Sequence, residues 1–141
     1  MIAGNFGQGI VLRGTSTGSD RNTIAGNYIG VDASGATAAP NTENGIEARD
    51  NSSSNLIGTN ADGIFDAAER NIVSGNAGAG IRVTNGAATN NTIAGNYIGI
   101  DAAGTTAVPN NDGISISFAA SENLIGTDGD GTNDVAERNV I

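Results

Sequence analysis

The sequence predicts an all-β solenoid in which short strands stack in parallel from one coil to the next. Three observations lead there. Asn22-Thr-Ile-Ala-Gly-Asn-Tyr-Ile-Gly-Val-Asp32 returns as Asn91-Thr-Ile-Ala-Gly-Asn-Tyr-Ile-Gly-Ile-Asp101 at an offset of 69, with ten of eleven residues identical; a tandem period of that size signals a repeat architecture. Apolar residues occur in runs of three to six, bounded by Gly and Asn, which is strand length and strand punctuation. No two-residue Asn-Gly turn joins neighbouring runs in register, so hairpins are disfavoured and each run must pair with its equivalent one coil later, about 4.8 Å along the axis.

The remainder aligns outward from that stretch. Leu56-Ile-Gly-Thr59 matches Leu124-Ile-Gly-Thr127 and Ala68-Glu-Arg-Asn71 matches Ala136-Glu-Arg-Asn139, both at an offset of 68, whereas Gly9-Ile10 matches Gly80-Ile81 at 71. The chain therefore reads as a single segment of two repeats of about 70 residues, 1–71 and 72–141.

Within one repeat, Gly80-Ile-Arg-Val83 alternates apolar and polar as a half-buried strand does, and Thr84 to Asn90 forms a turn. A second strand surrounds Ile93. Tyr97-Ile-Gly-Ile100 reads as a third, with Ile98 and Ile100 on one face. Asp101 to Asp112, punctuated by Gly104 and Pro109, is a loop. The cycle restarts with Gly113-Ile-Ser-Ile-Ser117, Asn123-Leu-Ile-Gly126, a longer loop and Asn139-Val-Ile141. Gly-Ile strand starts at Gly9, Gly45, Gly80 and Gly113 are spaced by 36, 35 and 33 residues, predicting about four coils of three strands, each with one loop excursion. The inward column is expected to hold Ile10, Leu12, Ile24, Ile29, Ile46, Ile81, Val83, Ile93, Ile98, Ile100, Ile114 and Ile116.

Composition agrees with a narrow interior. Gly occurs 22 times, while Phe, Tyr and Met number three, two and one, and Trp and Cys are absent. Such a chain cannot fill a wide core but can fill a thin one with a few aliphatic side chains per layer. Six Arg against fifteen acids give a net charge of −9, which disfavours nucleic acid and anionic membranes as partners, since both require clustered cations. No apolar run approaches the ~20 residues of a membrane span. Repeat sequence begins directly after Met1, since Ile2-Ala-Gly-Asn5 aligns with Val73-Ser-Gly-Asn76, and Asn139-Val-Ile141 stops where Asn71-Ile-Val-Ser-Gly-Asn76 continues. The expectation is a piece of a longer array, without a leader, whose ends match each other and can associate end to end.

Asn is the informative corner residue: it tolerates left-handed backbone and can bond its equivalents in the coils above and below. Asn22 and Asn91, Asn27 and Asn96, Asn5 and Asn76, Asn55 and Asn123, and Asn71 and Asn139 are the expected ladder positions.

The Gly-Ile-x-Val, Asn-x-Ile-x-Gly-Asn-Tyr-Ile-Gly and Asn-Leu-Ile-Gly…Ala-Glu-Arg-Asn-Val-Ile elements resemble the right-handed parallel β-helix repeats, of pectin-lyase-like architecture, found in large secreted or surface-displayed bacterial proteins. The resemblance covers the whole chain and implies a right-handed coil and an extracellular or cell-surface location. It says little about activity, because that architecture serves polysaccharide lyases, hydrolases and epimerases as well as adhesins and stalks.

Catalysis of those kinds needs convergent carboxylates, or a base beside a charge-neutralising group. With no His or Lys, the candidates are Arg13, Arg49, Arg82, Tyr28, Tyr97 and the loop acids. Tyr28 and Tyr97 occupy identical contexts and belong to the repeat design, so no catalytic residue is assigned. Asp128, Asp130 and Asp134, in Asp128-Gly-Asp-Gly-Thr-Asn-Asp134, are a Ca²⁺ candidate, since oxygen-rich glycine-containing loops suit that ion, although the full Asp-x-Asp-x-Asp-Gly pattern and distal Glu are absent. The competing reading is a turn followed by a capping box, with Asp66 or Asp134 as N-cap and Glu69 or Glu137 reaching back. Arg70 and Arg138 are expected to pair with neighbouring loop acids. The expected function is a structural spacer or display segment with no catalysis in these residues, its loops free to meet a carbohydrate or surface partner. The alternative is a carbohydrate-binding or polysaccharide-processing β-helix whose site lies outside them.

Overall fold

The computed structural model describes residues 1–15 and 18–141. The coils stack their strands into three parallel sheets, two of four strands and one of three. The first sheet stacks β1 (Ile10–Gly14), β4 (Ile46–Asp50), β7 (Ala79–Thr84) and β10 (Asp112–Ser117); the second stacks β2 (Thr23–Ile24), β5 (Leu56–Gly58), β8 (Thr92–Ala94) and β11 (Leu124–Ile125); the third stacks β3 (Tyr28–Ile29), β6 (Ile72–Val73) and β9 (Tyr97–Ile98). Ile2 and Val140 extend the third sheet by one bridge at each end. Four strands in a column bound three circuits, so the expected four coils amount to a solenoid of about three turns.

The coils let out their loops at alternating corners. Residues 31–38 and 100–107 leave after the third strand and close with an antiparallel bridge, Val31 to Ala38 and Ile100 to Ala107. Residues 59–71 and 127–139 instead intervene between the second and third strands and carry single helical turns, α1 (Asp66–Glu69) and α2 (Asp134–Glu137). Loops two coils apart stack on each other: Ala102 N–H donates to the Gly35 carbonyl at 3.0 Å and Asn133 Nδ2 to the Ala61 carbonyl at 2.8 Å. This alternation makes the sequence repeat two coils rather than one.

Inward side chains form one continuous apolar column that includes Leu12, Ile24, Ile29, Ile46, Ile57, Val73, Ile81, Val83, Ile93 and Ile98. Register keeps like beside like: Ile10 pairs with Ile46, Ile46 with Ile81, and Ile81 with Ile114. The glycine opening each first-sheet strand leaves room for the branched side chain arriving from the third sheet of the same coil. A Cβ on Gly45 would lie 2.6 Å from Val73 Cγ1, and one on Gly80 2.8 Å from Ile98 Cγ2.

Two expected core positions differ. Gly99, at φ +76°, ends β9 after Ile98, so Ile100 leaves the strand for the neck of the loop and is only half-buried. Ile116 faces inward but lies on the last rung, uncovered on one side and 39% exposed, whereas its partner Val83 is sealed.

Asparagine corners become three ladders of four rungs. Nδ2 of each residue donates to Oδ1 of the next in the series Asn5–Asn41–Asn76–Asn110, Asn22–Asn55–Asn91–Asn123 and Asn27–Asn71–Asn96–Asn139, at 2.8–3.2 Å. Several backbone N–H groups at these corners donate to the same oxygens, as those of Asn55 and Asn91 do. The second Nδ2 proton is also used, as when Asn96 reaches the Ile57 carbonyl at 2.8 Å. The ten expected ladder residues all take part. Asn41 and Asn110 join them, unforeseen because each follows the single proline of its repeat within a stretch read as loop.

Candidate functional site

The chemistry-bearing side chains fall into three places. The first is the loop carrying α2. Carboxylate oxygens of Asp128, Asp134 and Glu137 lie within 4.8 Å of one another. The structure thus unites two of the three calcium candidates and adds Glu137. Asp130 instead accepts a hydrogen bond from Thr132 N–H at 2.6 Å, closing a local turn. Oxygens of the cluster already serve the loop: Asp134 Oδ1 accepts from the Thr127 hydroxyl at 2.8 Å, and Glu137 Oε2 from the Asp128 N–H at 3.0 Å. The first repeat has the same wiring, with Thr59 donating to both Asp66 and Glu69, and Asn60 N–H donating to Glu69. Asn60 stands where the second repeat has Asp128, so only the second repeat gathers three carboxylates.

The expected capping box is not formed. Each turn is preceded by a residue in left-handed conformation, Phe65 at φ +62° or Asn133 at φ +58°, with no side-chain cap. Asp66 and Asp134 are the first residues of the turn itself. Their carboxylates accept from the threonine that opens the loop, and Glu69 and Glu137 accept from the N–H of the residue after it, so the acids staple the loop's neck rather than the helix's own N–H groups.

Second, the stacked turns α1 and α2 flank an open lateral groove of about 690 Å³ that contains Asp66, Arg70, Asn133, Asp134 and Arg138. Arg70 does not pair with a loop acid as expected. Its Nε donates to the Gly95 carbonyl at 3.1 Å, and its guanidinium lies 4.1 Å from the centroid of the Tyr97 ring in the next coil, a cation–π contact. Among the described residues neither Arg70 nor Arg138 forms an ion pair.

Third, the outward face of the first sheet carries Arg13, Arg49 and Arg82. Arg13 pairs with Asp50 at 3.0 Å, and Asp50 also accepts from Asn85 Nδ2 at 2.9 Å. The Asn85 hydrogen bond first, and Arg13 after it, hold the Asp50 carboxyl below the usual carboxylate range. Glu47 is nearly sealed between strands, accepting from Gln8 Nε2 at 2.9 Å with Arg49 at 3.7 Å; sequence reasoning did not single it out, because alternation marks it as outward but not as covered. The carboxylates of this face are thus engaged in local pairs. Tyr28 and Tyr97 lie elsewhere, packed with Val31, Ile72 and Val108 beneath the stacked loops, as expected of repeat residues.

Those loops are held by Asp32 and Asp101. Asp101 Oδ1 accepts from the N–H groups of Thr105 and Thr106 at 2.8 and 3.1 Å. These bonds, Thr105's foremost, keep its carboxyl below the usual range, as the Ser34 hydroxyl does for Asp32. No helix among the described residues is long and apolar enough to cross a membrane. No protein-family model, curated protein or solved structure matches the chain.

Proposed function

We propose that this chain is a rigid spacer or display segment of a secreted or surface-exposed bacterial repeat protein, wound as a right-handed coil of pectin-lyase-like architecture. The observation that carries the reading is the trio of asparagine ladders: the buried corner amides of Asn41, Asn55, Asn71, Asn76, Asn91 and Asn96 bond to the coils above and below rather than converging on one ligand. A polar network satisfied along its full length rigidifies a stack and specifies its register. The acids of the α1 and α2 loops and the loop aspartates Asp32 and Asp101 bond within their own loops.

Two measurements test this reading. Pulled between two marker domains, the segment should hold its folded length until it gives way in a single cooperative step; gradual extension at low force would contradict a spacer role. Glycan arrays and calorimetry address the second reading, a carbohydrate-binding or polysaccharide-processing β-helix with its site outside these 141 residues. Micromolar binding of a glycan to this chain would make its loops an adhesive, displayed surface, whereas binding or turnover seen only in a longer chain would favour the second reading.

A further inference from the structure

Two Asn-Gly pairs occur in the chain, Asn44-Gly45 and Asn85-Gly86. In such a pair the glycine's backbone nitrogen is an unhindered nucleophile toward the asparagine side-chain amide, because no Cβ screens it. Reaction then depends on whether the fold lets that nitrogen reach Cγ, and the two pairs differ in this respect. We propose that Asn85 is a site of spontaneous deamidation and isoaspartate formation, and that the stack protects Asn44.

Asn44 is nearly sealed and bonded to both neighbouring coils. Its Oδ1 accepts from Ala79 N–H at 3.0 Å, its carbonyl accepts from Gly9 N–H at 3.0 Å, and Gly45 N–H donates to the Ala79 carbonyl at 2.9 Å. Gly45 is enclosed as well, with Val73, Gly80 and Asn76 atoms 2.6–2.8 Å from where a Cβ would stand. Turning the Asn44–Gly45 peptide toward Cγ breaks bonds to coils on either side and leaves buried backbone groups unpaired, so the nucleophile is held away.

Asn85 and Gly86 lie exposed in the turn that follows β7. Among the described residues Gly86 N–H has no acceptor, and the space beside Gly86 is open to 4 Å. A single backbone bond closes the turn, from Ala88 N–H to the Asn85 carbonyl at 3.1 Å. Asn85 at φ +70° and Ala87 at φ +72° occupy the left-handed region, which residues with a Cβ adopt at a cost. An exposed turn held so lightly opens locally without unfolding the stack. One bond, from Nδ2 to Asp50 Oδ1 at 2.9 Å, tethers the Asn85 amide.

The reaction balances with water alone. Gly86 nitrogen gives its proton to solvent and bonds to Asn85 Cγ; the Cγ–Nδ2 bond breaks, and Nδ2 takes up a proton and leaves as ammonia. Water then opens the five-membered imide at either carbonyl, leaving aspartate or isoaspartate at position 85. Either product sets a carboxylate where Asp50 had a donor, and adds one negative charge to the net −9; like charges facing each other across adjacent strands are destabilising. Isoaspartate also lengthens the main chain between Thr84 and Ala88, both buried. The corner that links Arg13, Asp50 and Asn85 over successive coils is thereby loosened.

Peptide mapping by mass spectrometry, on protein aged in neutral buffer, tests the assignment. Arg49, Arg70 and Arg82 lie between the two pairs, so cleavage at arginine places them on different peptides. Conversion at Asn85 should run at least several-fold ahead of Asn44 in the folded protein, and the two rates should converge in urea. Gly86→Ala puts its methyl into open space, so the chain should stay folded while conversion at Asn85 slows many-fold. Equal rates at the two sites when folded, a difference that persists in urea, no conversion at Asn85 while the unfolded chain converts, or an unslowed Gly86→Ala chain overturns the proposal. Converted protein, separated by its added charge, should melt a few degrees below the parent; an unchanged midpoint overturns the loosening of the corner.

Discussion

Asn71 Nδ2 donates to Asn96 Oδ1 at 2.9 Å across the junction of the second and third coils, with both side chains sealed from solvent. Asn96 also donates to the Ile57 and Ala94 carbonyls and to Asn139. Replacing Asn96 with Ala leaves one Asn71 Nδ2 proton without an acceptor inside the sealed column, at about 1–3 kcal/mol, and removes the Asn96 bonds to Ile57, Ala94 and Asn139 as well. Urea unfolding of Asn96→Ala should therefore show a loss of about 3 kcal/mol or more. Asn22→Ala, at the exposed start of a ladder, should lose about 1 kcal/mol. Equal losses at the two positions would mean that the ladders do not act as continuous columns.

Ile93 is fully buried between Ile57 and Ile125. Ile93→Asp places an unpaired carboxylate in a dry column, at a cost of several kcal/mol, and should leave the chain unfolded by circular dichroism at room temperature. Ile116→Asp, on the open last rung, should fold and melt within a few degrees of the parent. An Ile93→Asp chain that melts like the parent would refute the column.

Glycine at the strand starts is set by packing. Gly45→Ala drives a methyl to 2.6 Å from Val73 Cγ1 and 2.7 Å from the Gly80 carbonyl, and overpacking of that kind costs about 1–3 kcal/mol. Gly86→Ala meets nothing within 4 Å and should leave the unfolding midpoint unchanged. The difference between their midpoints is the measurement.

Acid should loosen the loops first. The Asp20, Asp32, Asp50 and Asp101 carboxyls all lie below the ordinary carboxylate value. A carboxyl lowered in the folded state contributes stability that is complete above its unfolded pKa of about 4 and is lost as pH falls through the lowered value. Thermal midpoints should hold steady from neutral pH to about 5 and fall below about 4. Asp101→Asn should flatten that fall; an unaltered slope would remove Asp101 from the account.

Calcium should have no effect at Asp128, Asp134 and Glu137. Their loop is closed by Thr127 and by the Asp128 N–H in the same manner as the two-carboxylate loop of the first repeat. Melting in millimolar Ca²⁺ and in EDTA should therefore coincide. A rise in Ca²⁺, abolished by Asp128→Asn, would show that an ion binds the folded state.

Repetition is a linear property, and its consequences were legible in the chain. The two units, the parallel pairing, the Gly-Ile strand starts and most of the inward column required only that equivalent residues stack. Ten ladder asparagines were readable because they recur beside strands, and Asn41 and Asn110 were hidden because they recur after prolines within a loop. Tertiary structure decided what depends on a neighbour in the third dimension. It turned Ile100 out of its strand at Gly99, left Ile116 open on the last rung, and set Arg70 against Tyr97 rather than an acid. It also exchanged Asp130 for Glu137 in the acidic cluster. The reason is common to all four: spacing says which residues are equivalent, whereas the corner at which a loop leaves, and the coil lying above or below it, determine which of them meet.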